Sequence, residues 1–179
     1  MLVKLVTPKV VAVVVVGLAL VAGCGAPTEA PSGSVVAPRA AAVTNDQLNF
    51  TAKTVDGADF SGASLVGKAS VLWFWAPWCT TCQGEAPSVA RAARAHPGVR
   101  FVGVAAEDQV PAMQAFVAKY QLGSFTHLAD LDASVWRRFG VTAQPAFAFI
   151  RPDGTVDVVK TALPEQELNQ RLDALSQAG

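Results

Sequence analysis

Two cysteines at close spacing are the residues of this chain best suited to chemistry. Cys79 and Cys82 are separated by two threonines, and they follow the run 70–75, which is rich in apolar and aromatic residues. That run predicts a strand buried on both faces, and residues 80–95 have the apolar spacing of a helix. Cys79 would then lie at or beside a helix N-terminus, where unpaired backbone N–H groups and the helix dipole favour a thiolate. A thiolate is the attacking species in thiol–disulfide exchange, and the same stabilisation makes it a good leaving group.

The number of cysteines narrows what this pair does. The chain has three cysteines, Cys24, Cys79 and Cys82. A structural disulfide framework needs more cysteines at wider spacing, and a zinc ribbon needs a second CxxC or a Cys/His pair. The pair at 79 and 82 is therefore predicted to be reactive, and the alternative is an inert pair of reduced cysteines in the core.

The remaining elements predict an α/β domain. Residues 48–55 alternate in polarity and meet Asp56-Gly57, which predicts a hairpin whose second arm holds Asp59-Phe60. Residues 62–68 indicate a short loop or a helical turn, and Pro87 is expected to kink the helix after Cys79. The other predicted elements are a strand at 99–105, a helix opening at Pro111, a weak strand at 126–129, a short helix at 134–139, a hairpin of 146–150 with 156–160, and a last helix opening at Pro164. Parallel strands joined through helices and closed by an antiparallel hairpin define an α/β fold.

Two motifs make the domain resemble a known family. The run 75–82 reads WAPWCTTC and resembles the thioredoxin-family motif WAxWCxxC, and residues 141–145 resemble the family's loop ending in a cis-proline. The pattern Cys-x-x-Cys-x-x-Glu-x-Pro is most similar to the exported TlpA/ResA/DsbE branch, particularly to actinobacterial DsbE/DsbF-like proteins. It is met here at Cys79, Cys82, Glu85 and Pro87. The resemblance implies a thioredoxin fold, with a central mixed sheet flanked by helices and an added N-terminal β-hairpin.

The resemblance also assigns roles to the residues around the cysteines. Cys79 would attack, and Cys82, one helical turn on, would resolve the mixed disulfide by attacking Cys79. Glu85 lies near the helical face of Cys82 and would accept or donate the proton of its thiol. The alternative is that Glu85 is an exposed first-turn acid that complements the helix dipole. Trp73 stands where classical thioredoxins carry a buried aspartate, so Glu85 or water is expected to act in place of that base.

The proline loop and nearby aromatic residues are the predicted substrate contacts. Pro145, in cis as the resemblance implies, would put a rigid turn against the disulfide. The backbone of Gln144 would then be free to pair with an extended substrate chain. Trp78, beside the nucleophile, is predicted to be exposed and to bind substrate, whereas Trp75 and Phe60 either join it in an apolar rim or pack in the core.

The N-terminal residues predict export. Lys4 and Lys9 accompany the apolar run 10–21, which is shorter than the ~20 residues that span a bilayer and fits a secretory signal. A short transmembrane anchor is the alternative. The residues before Cys24, Val21-Ala22-Gly23, resemble a bacterial lipobox, which implies that Cys24 is acylated and becomes the mature N-terminus.

The domain organisation follows from this signal. Residues 25–44 are dominated by Pro, Ala, Gly and Ser, which predicts a flexible tether. We therefore expect a lipoprotein signal peptide at 1–23, the lipidated Cys24 and its tether at 24–44, and one thioredoxin-like domain at 45–179. The protein would be held at the outer face of the cell membrane.

Together these features predict an exported thiol–disulfide oxidoreductase that acts on secreted or cell-envelope proteins. The DsbE/DsbF-like resemblance implies an oxidase, which we favour. The wider TlpA/ResA branch implies a reductant, often of cytochrome c apoproteins before haem attachment. The expected partners are exported cysteine-containing proteins and a membrane redox partner that regenerates the enzyme. No cofactor is expected beyond the Cys79–Cys82 pair.

Other function classes fit the residues less well. A copper metallochaperone on the same fold is the alternative from another class, but such proteins use CxxxC and a distant histidine, and His127 is the only plausible late ligand. His96 and His127 are instead predicted to be capping or surface residues. No peroxidase-type Pro-x-x-x-Thr-x-x-Cys run occurs, and a lipoprotein that only binds partners would not need a CxxC. Lys+Arg and Asp+Glu both number 14, so nothing suggests a nucleic-acid partner.

Overall fold

Residues 46–177 are described by a computed structural model, and they form seven strands and four α-helices. The strands are β1 (Thr51–Lys53), β2 (Asp59–Ser61), β3 (Ser70–Trp75), β4 (Arg100–Ala105), β5 (Thr126–Ala129), β6 (Ala146–Ile150) and β7 (Val156–Val159). The helices are α1 (Thr80–Ala95), α2 (Val110–Lys119), α3 (Ser134–Arg138) and α4 (Glu165–Gln177). The predicted signal peptide, Cys24 and the tether lie outside the described residues.

The central sheet has the mixed topology that the sequence predicts. Its strand order is β5-β4-β3-β6-β7. β3, β4 and β5 run parallel, whereas β6 is antiparallel to β3 and β7 is antiparallel to β6. The parallel strands are connected through α1 and α2, so the α/β thioredoxin-like arrangement is confirmed.

The N-terminal hairpin is present, but its strands are shorter than predicted. β1 pairs with β2 in antiparallel register around a turn in which Gly57 has a φ of 86°. The predicted first arm began at Leu48, which is buried and lies instead at the end of a 3-10 turn. Its last residues also reach the central sheet. Thr54, whose N–H donates to the Ala58 carbonyl within the hairpin, bridges Leu128, and the Val55 N–H donates to the His127 carbonyl at 2.9 Å. The hairpin therefore covers part of the sheet edge at β5, whose backbone groups would otherwise be unpaired.

The core has one layer on each face of the sheet, and β3 contributes to both. Trp73 and Trp75 point to the layer formed with α1, α2 and α4. Leu72 and Phe74 point to the layer formed with α3 and the N-terminal hairpin. All six residues of β3 are buried, which confirms the prediction of a strand buried on both faces. The alternation of strand side chains thus sends Trp73 toward α1, the helix that carries the cysteines.

Helix α1 continues through Pro87 as one element of 16 residues. It begins directly after Cys79 and buries Cys82, Glu85 and Ala86 among other residues on one side. No helix within residues 46–177 is long and apolar enough to cross a membrane.

Candidate active site

The local geometry places Cys79 where a thiolate is stabilised. β3 ends at Trp75, three residues follow, and Cys79 is the N-cap of α1 with extended backbone angles. Its Sγ accepts the backbone N–H of Cys82 at 3.0 Å. An N-cap acceptor satisfies one of the N–H groups that the first helical turn leaves unpaired. A negative charge on this sulfur is therefore favoured by a direct hydrogen bond and by the positive end of the helix dipole.

The two cysteines form a disulfide and differ in accessibility. Their Cα atoms are 5.3 Å apart, inside the range that a disulfide requires. Cys79 is 6% exposed and Cys82 is fully buried. An incoming thiolate can therefore reach the sulfur of Cys79 and not that of Cys82, which supports the predicted order of attack.

Glu85 is buried, so the interpretation of an exposed first-turn acid is wrong. Its carboxylate accepts two N–H groups, the Trp73 indole at Oε2 (3.0 Å) and the Leu163 backbone at Oε1 (2.8 Å). Burial raises the pKa of Glu85 above its ordinary value, and the hydrogen bonds from Leu163 and Trp73 act in the opposite direction. A carboxyl one helical turn from Cys82, with a raised pKa, is suited to exchanging a proton with a thiol.

The proline loop lies at the same end of the sheet as the disulfide. The peptide bond between Gln144 and Pro145 is cis. In the antiparallel register of β3 and β6, Phe74 lies opposite Ala146, so Pro145 stands beside the end of β3 from which the chain continues to Cys79. Pro145 is buried and Gln144 is partly exposed.

Trp78 is the exposed aromatic residue of the site. Its side chain is 54% exposed, and its indole N–H donates to the Glu107 carbonyl at 3.0 Å. Glu107 follows the neighbouring strand β4 and has a positive φ of 61°. Trp75 and Phe60 are buried, so core packing, and not the apolar rim, is the correct interpretation for both.

The two histidines have different environments. His96 is the C-cap residue of α1 and its Nδ1 atom lies 3.0 Å from the Ala92 carbonyl, which confirms its predicted capping role. Its Nε2 atom contacts Asp173 of α4. His127 was predicted to be a capping or surface residue, and that is wrong, since it is 3% exposed. It lies in β5 with its Nε2 atom 3.1 Å from the Leu122 carbonyl. Within residues 46–177, no group of three or more His, Cys, Asp or Glu residues is placed to hold a metal ion.

The buried His127 is expected to make the domain less stable in mild acid. Burial lowers the pKa of His127 from 6.5 to about 4 in the folded protein. Below pH 6.5 the unfolded chain takes up a proton that the folded chain does not, so this stabilisation is lost as the pH falls toward 4. The loss is roughly 3 kcal/mol in total. Urea unfolding of wild type and His127→Gln at pH 7.5, 5.5 and 4.5 measures it.

Comparison with His127→Gln separates the His127 contribution to stability from that of buried groups with the opposite pH dependence. The pKa values of Glu85 and Asp130 are raised by burial, so those groups favour the folded state more as the pH falls. The difference between wild type and His127→Gln cancels them. Parallel stability curves for wild type and His127→Gln would contradict the expected role.

Residues 43–159 match the family model described as the AhpC/TSA family. The chain belongs to the AhpC/TSA family. The chain is also similar to the soluble secreted antigen MPT53 of Mycobacterium tuberculosis, with 51% identity over 142 residues, covering 78% of this chain and 81% of MPT53. It is 28% identical to the thiol-disulfide oxidoreductase ResA of Oceanobacillus iheyensis, covering 73% and 69% of the two chains.

Solved structures show the same relationship. DsbF of Mycobacterium tuberculosis, in mixed oxidised and reduced forms, has 63% identity and a TM-score of 0.71, covering 72% of this chain and 96% of DsbF. A secreted Mycobacterium tuberculosis disulfide oxidoreductase homologous to E. coli DsbE has 51% identity and a TM-score of 0.71, covering 73% and 99%. This member of the AhpC/TSA family is therefore a thiol–disulfide oxidoreductase of the DsbE/ResA type, as the CxxC motif predicted.

Within the family, this chain lacks one motif that peroxidase chemistry would use. Pro77 and Thr81 have the spacing of a Pro-x-x-x-Thr-x-x-Cys run, but Gly84 stands where the cysteine would be. The reactive sulfurs of the described site are those of Cys79 and Cys82.

Proposed function

We propose that this protein oxidises cysteine pairs in exported proteins to disulfides, using the Cys79–Cys82 disulfide as the oxidant. The observation that carries the proposal is the 3.0 Å hydrogen bond from the Cys82 backbone N–H to Cys79 Sγ at the start of a 16-residue helix. Interactions that stabilise the Cys79 thiolate stabilise the reduced enzyme. An enzyme whose reduced, dithiol form is stabilised is a strong oxidant in its disulfide form.

The reaction follows from which sulfur is accessible. A client thiolate attacks Cys79 Sγ, a client–Cys79 disulfide forms, and the bond between Cys79 and Cys82 breaks. A second client thiolate then attacks the client sulfur, which forms the client disulfide and releases Cys79 as a thiolate. The client loses two electrons and the enzyme gains them, so the exchange needs no cofactor and a membrane redox partner must remove the electrons afterwards.

Glu85 is the proposed proton carrier for Cys82. When Cys82 leaves, it becomes a buried thiolate, which is costly in the apolar core unless it takes up a proton. The raised pKa of Glu85 makes it a suitable donor for that proton. In the reverse direction the same carboxylate accepts the proton as Cys82 attacks.

The client contacts are proposed on the surface around Cys79. Trp78 offers an exposed ring that is held in place by the Glu107 carbonyl. The backbone of Gln144, just before the cis-proline, is proposed to pair with the extended client chain. Clients that present a cysteine in an unfolded segment fit this surface, because a folded protein rarely exposes an extended edge with an adjacent apolar side chain.

We further propose that lipidated Cys24 holds the enzyme at the outer face of the membrane, with some protein released. Cys24→Ala is expected to move most of the protein from the membrane fraction to the medium. The variant removes every acyl chain attached at Cys24, and stable anchoring needs more than one acyl chain or signal. Fractionation followed by immunoblotting measures this. The variant Cys79→Ala is the control for losing a cysteine elsewhere. Unchanged membrane retention of Cys24→Ala would contradict lipidation and indicate an uncleaved apolar anchor.

The direction of exchange is tested with a reduced, unfolded protein that contains several cysteines, such as ribonuclease. Stoichiometric oxidised enzyme should form client disulfides, one for each enzyme disulfide consumed, as followed by free-thiol titration. The reductant hypothesis is supported by the similarity to ResA, and it predicts the opposite result. Reduced enzyme would then open a disulfide in a peptide containing a cytochrome c haem-attachment motif, and oxidised enzyme would leave ribonuclease reduced.

A copper metallochaperone is the second candidate from another class, and the described residues do not favour it. The spacing is CxxC, and the Nε2 atom of His127 contacts the Leu122 carbonyl inside the core. Tight binding of copper(I) by the reduced protein, lost in Cys79→Ser, together with no oxidation of ribonuclease, would favour this candidate over the oxidase.

A further inference from the structure

The carboxylate of Glu85 is held by two N–H donors from distant parts of the chain. Trp73, on β3, donates its indole N–H to Oε2 at 3.0 Å. Leu163, in the segment before α4, donates its backbone N–H to Oε1 at 2.8 Å. Each oxygen therefore has one donor, and the carboxylate is fixed on the buried side of α1.

Trp73 is itself immobilised in the core. It is 1% exposed, and its ring stacks on Trp75 with centroids 5.8 Å apart and contacts Phe116 with centroids 6.3 Å apart. A donor fixed in this way loses little conformational entropy when it bonds the carboxylate. It also cannot turn away when the carboxylate changes its charge.

The two N–H donors oppose the effect of burial on the pKa of Glu85. Burial is the largest effect on the pKa of Glu85 and raises it, whereas the Leu163 and Trp73 hydrogen bonds lower it. A buried carboxyl group without such donors would stay protonated near neutral pH and could not accept a proton. The indole N–H thus has a consequence for proton transfer as well as for packing.

We propose that Trp73 is a positioning residue for Glu85: its indole N–H orients the carboxylate and keeps it able to exchange a proton with Cys82. This rests on the proposed role of Glu85. When Cys82 attacks the client–Cys79 disulfide, the Cys79–Cys82 bond forms, the client leaves as a thiolate, and the thiol proton passes to Glu85. In the oxidising direction the Cys79–Cys82 bond breaks and Glu85 returns the proton to Cys82.

The surroundings of Glu85 leave these donors as its main polar contacts. On α1 the neighbouring titratable group is Cys82. Arg91 of α1 and Glu165 of α4 pair with each other at 2.6 Å. Burial, Leu163 and Trp73 are the causes of the Glu85 pKa shift. The ionisation of Glu85 therefore reports on the Trp73 hydrogen bond directly.

Trp75 supplies a matched control. It is buried in the same ring cluster, yet its indole nitrogen has no hydrogen-bond partner among the described residues. Trp73→Phe and Trp75→Phe both remove an indole from this layer, but only Trp73→Phe removes a donor from Glu85. Any effect of lost ring volume alone should appear in both variants.

The test measures Glu85 ionisation and the resolving step separately. The side-chain carboxyl ¹³C resonance of Glu85 is titrated in the reduced protein. The rate at which Cys82 resolves a preformed disulfide between Cys79 and a model peptide is measured against pH. Trp73→Phe is expected to make Glu85 a roughly tenfold weaker acid, because a hydrogen bond to a charged group is worth about that factor. The pH midpoint of the resolving step should rise with it, and Trp75→Phe should leave both midpoints in place.

The outcomes separate this inference from the role of Glu85. Equal Glu85 titrations in Trp73→Phe and Trp75→Phe would overturn the positioning role. A shifted titration, combined with a wild-type resolving rate in Glu85→Gln, would keep Trp73 as the residue that sets Glu85 ionisation and would remove Glu85 from proton transfer. If Trp73→Phe does not fold, the proposal is tested on the wild-type protein. The indole N–H resonance of Trp73, and not that of Trp75, should move with the Glu85 midpoint, and a pH-independent Trp73 resonance would overturn the proposal.

Discussion

Replacing Cys79 with serine is expected to reduce thiol–disulfide exchange to the uncatalysed rate, a loss of at least about a thousandfold. Cys79 is the sulfur that a client can reach, and Cys82 is fully buried, so the remaining thiol cannot take over the attack. A serine hydroxyl does not ionise near neutral pH and forms no disulfide. Turnover of a dithiol peptide, followed by free-thiol titration, measures the loss.

Cys82→Ser is the matched variant. The accessible Cys79 still attacks a client disulfide, but no internal thiol resolves the product, so a client–Cys79 mixed disulfide should accumulate. Mass spectrometry of the non-reduced protein detects it. Equal residual turnover in Cys79→Ser and Cys82→Ser, without a trapped intermediate, would contradict the assigned order of attack.

Replacing Gly103 with alanine is expected to destabilise the domain by about 3 kcal/mol, because the added carbon has no room. Gly103 lies in β4, opposite Trp73 on one side and His127 on the other. A Cβ atom there would overlap His127 Nδ1 and lie 2.8 Å from the indole nitrogen of Trp75. Both rings are buried, so neither can move away into solvent. The free energy of unfolding by urea measures the change.

Gly84→Ala is the control for this substitution. Gly84 lies inside α1, and a Cβ atom added there meets nothing within 4 Å. Since alanine is favoured over glycine within a helix, this variant should be more stable by roughly 0.5–1 kcal/mol. If Gly103→Ala were as stable as wild type, the close packing of β4 against His127 and Trp75 would be wrong.

The sequence predicted those parts of the fold that depend on neighbouring residues. The apolar run 70–75 and the CxxC motif at the start of a helix placed Cys79 and Cys82 correctly. The turn at Asp56-Gly57 predicted the hairpin, but not that Thr54 and Val55 would also pair with the edge of the central sheet. That pairing joins residues more than 70 positions apart, and local patterns contain no information about it.

The environment of Glu85 could not be predicted for the same reason. Its spacing from Cys82 suggested a role, but its donors lie at Trp73 and Leu163, on two other elements. The loss of the usual buried aspartate at position 73 was visible, whereas its replacement by an indole donor to Glu85 required the packing of β3 against α1. His127 was misjudged because a polar residue in a short, weak strand gives no sign that the strand is buried on both faces.

Asp130 is a further residue that the sequence did not indicate. It is 3% exposed, and its carboxylate accepts the backbone N–H groups of Val135 and Trp136 at 3.1 and 2.9 Å. It therefore accepts hydrogen bonds from backbone N–H groups that the first turn of α3 leaves unpaired, although Ala133 is the N-cap residue of that helix. Residue preferences at the N-cap position give no information about an acceptor three residues earlier.

The reduction potential of the Cys79–Cys82 couple tests the central claim most directly. The domain from about residue 45 is equilibrated against glutathione buffers, and the oxidised fraction is measured after acid quenching. Stabilisation of the Cys79 thiolate at the start of α1 predicts an oxidising couple. Its potential should lie near that of the strong oxidant DsbA, about −120 mV. A potential near that of the reductant thioredoxin, about −270 mV, would contradict the oxidase function and make reduction of exported proteins the function of this site.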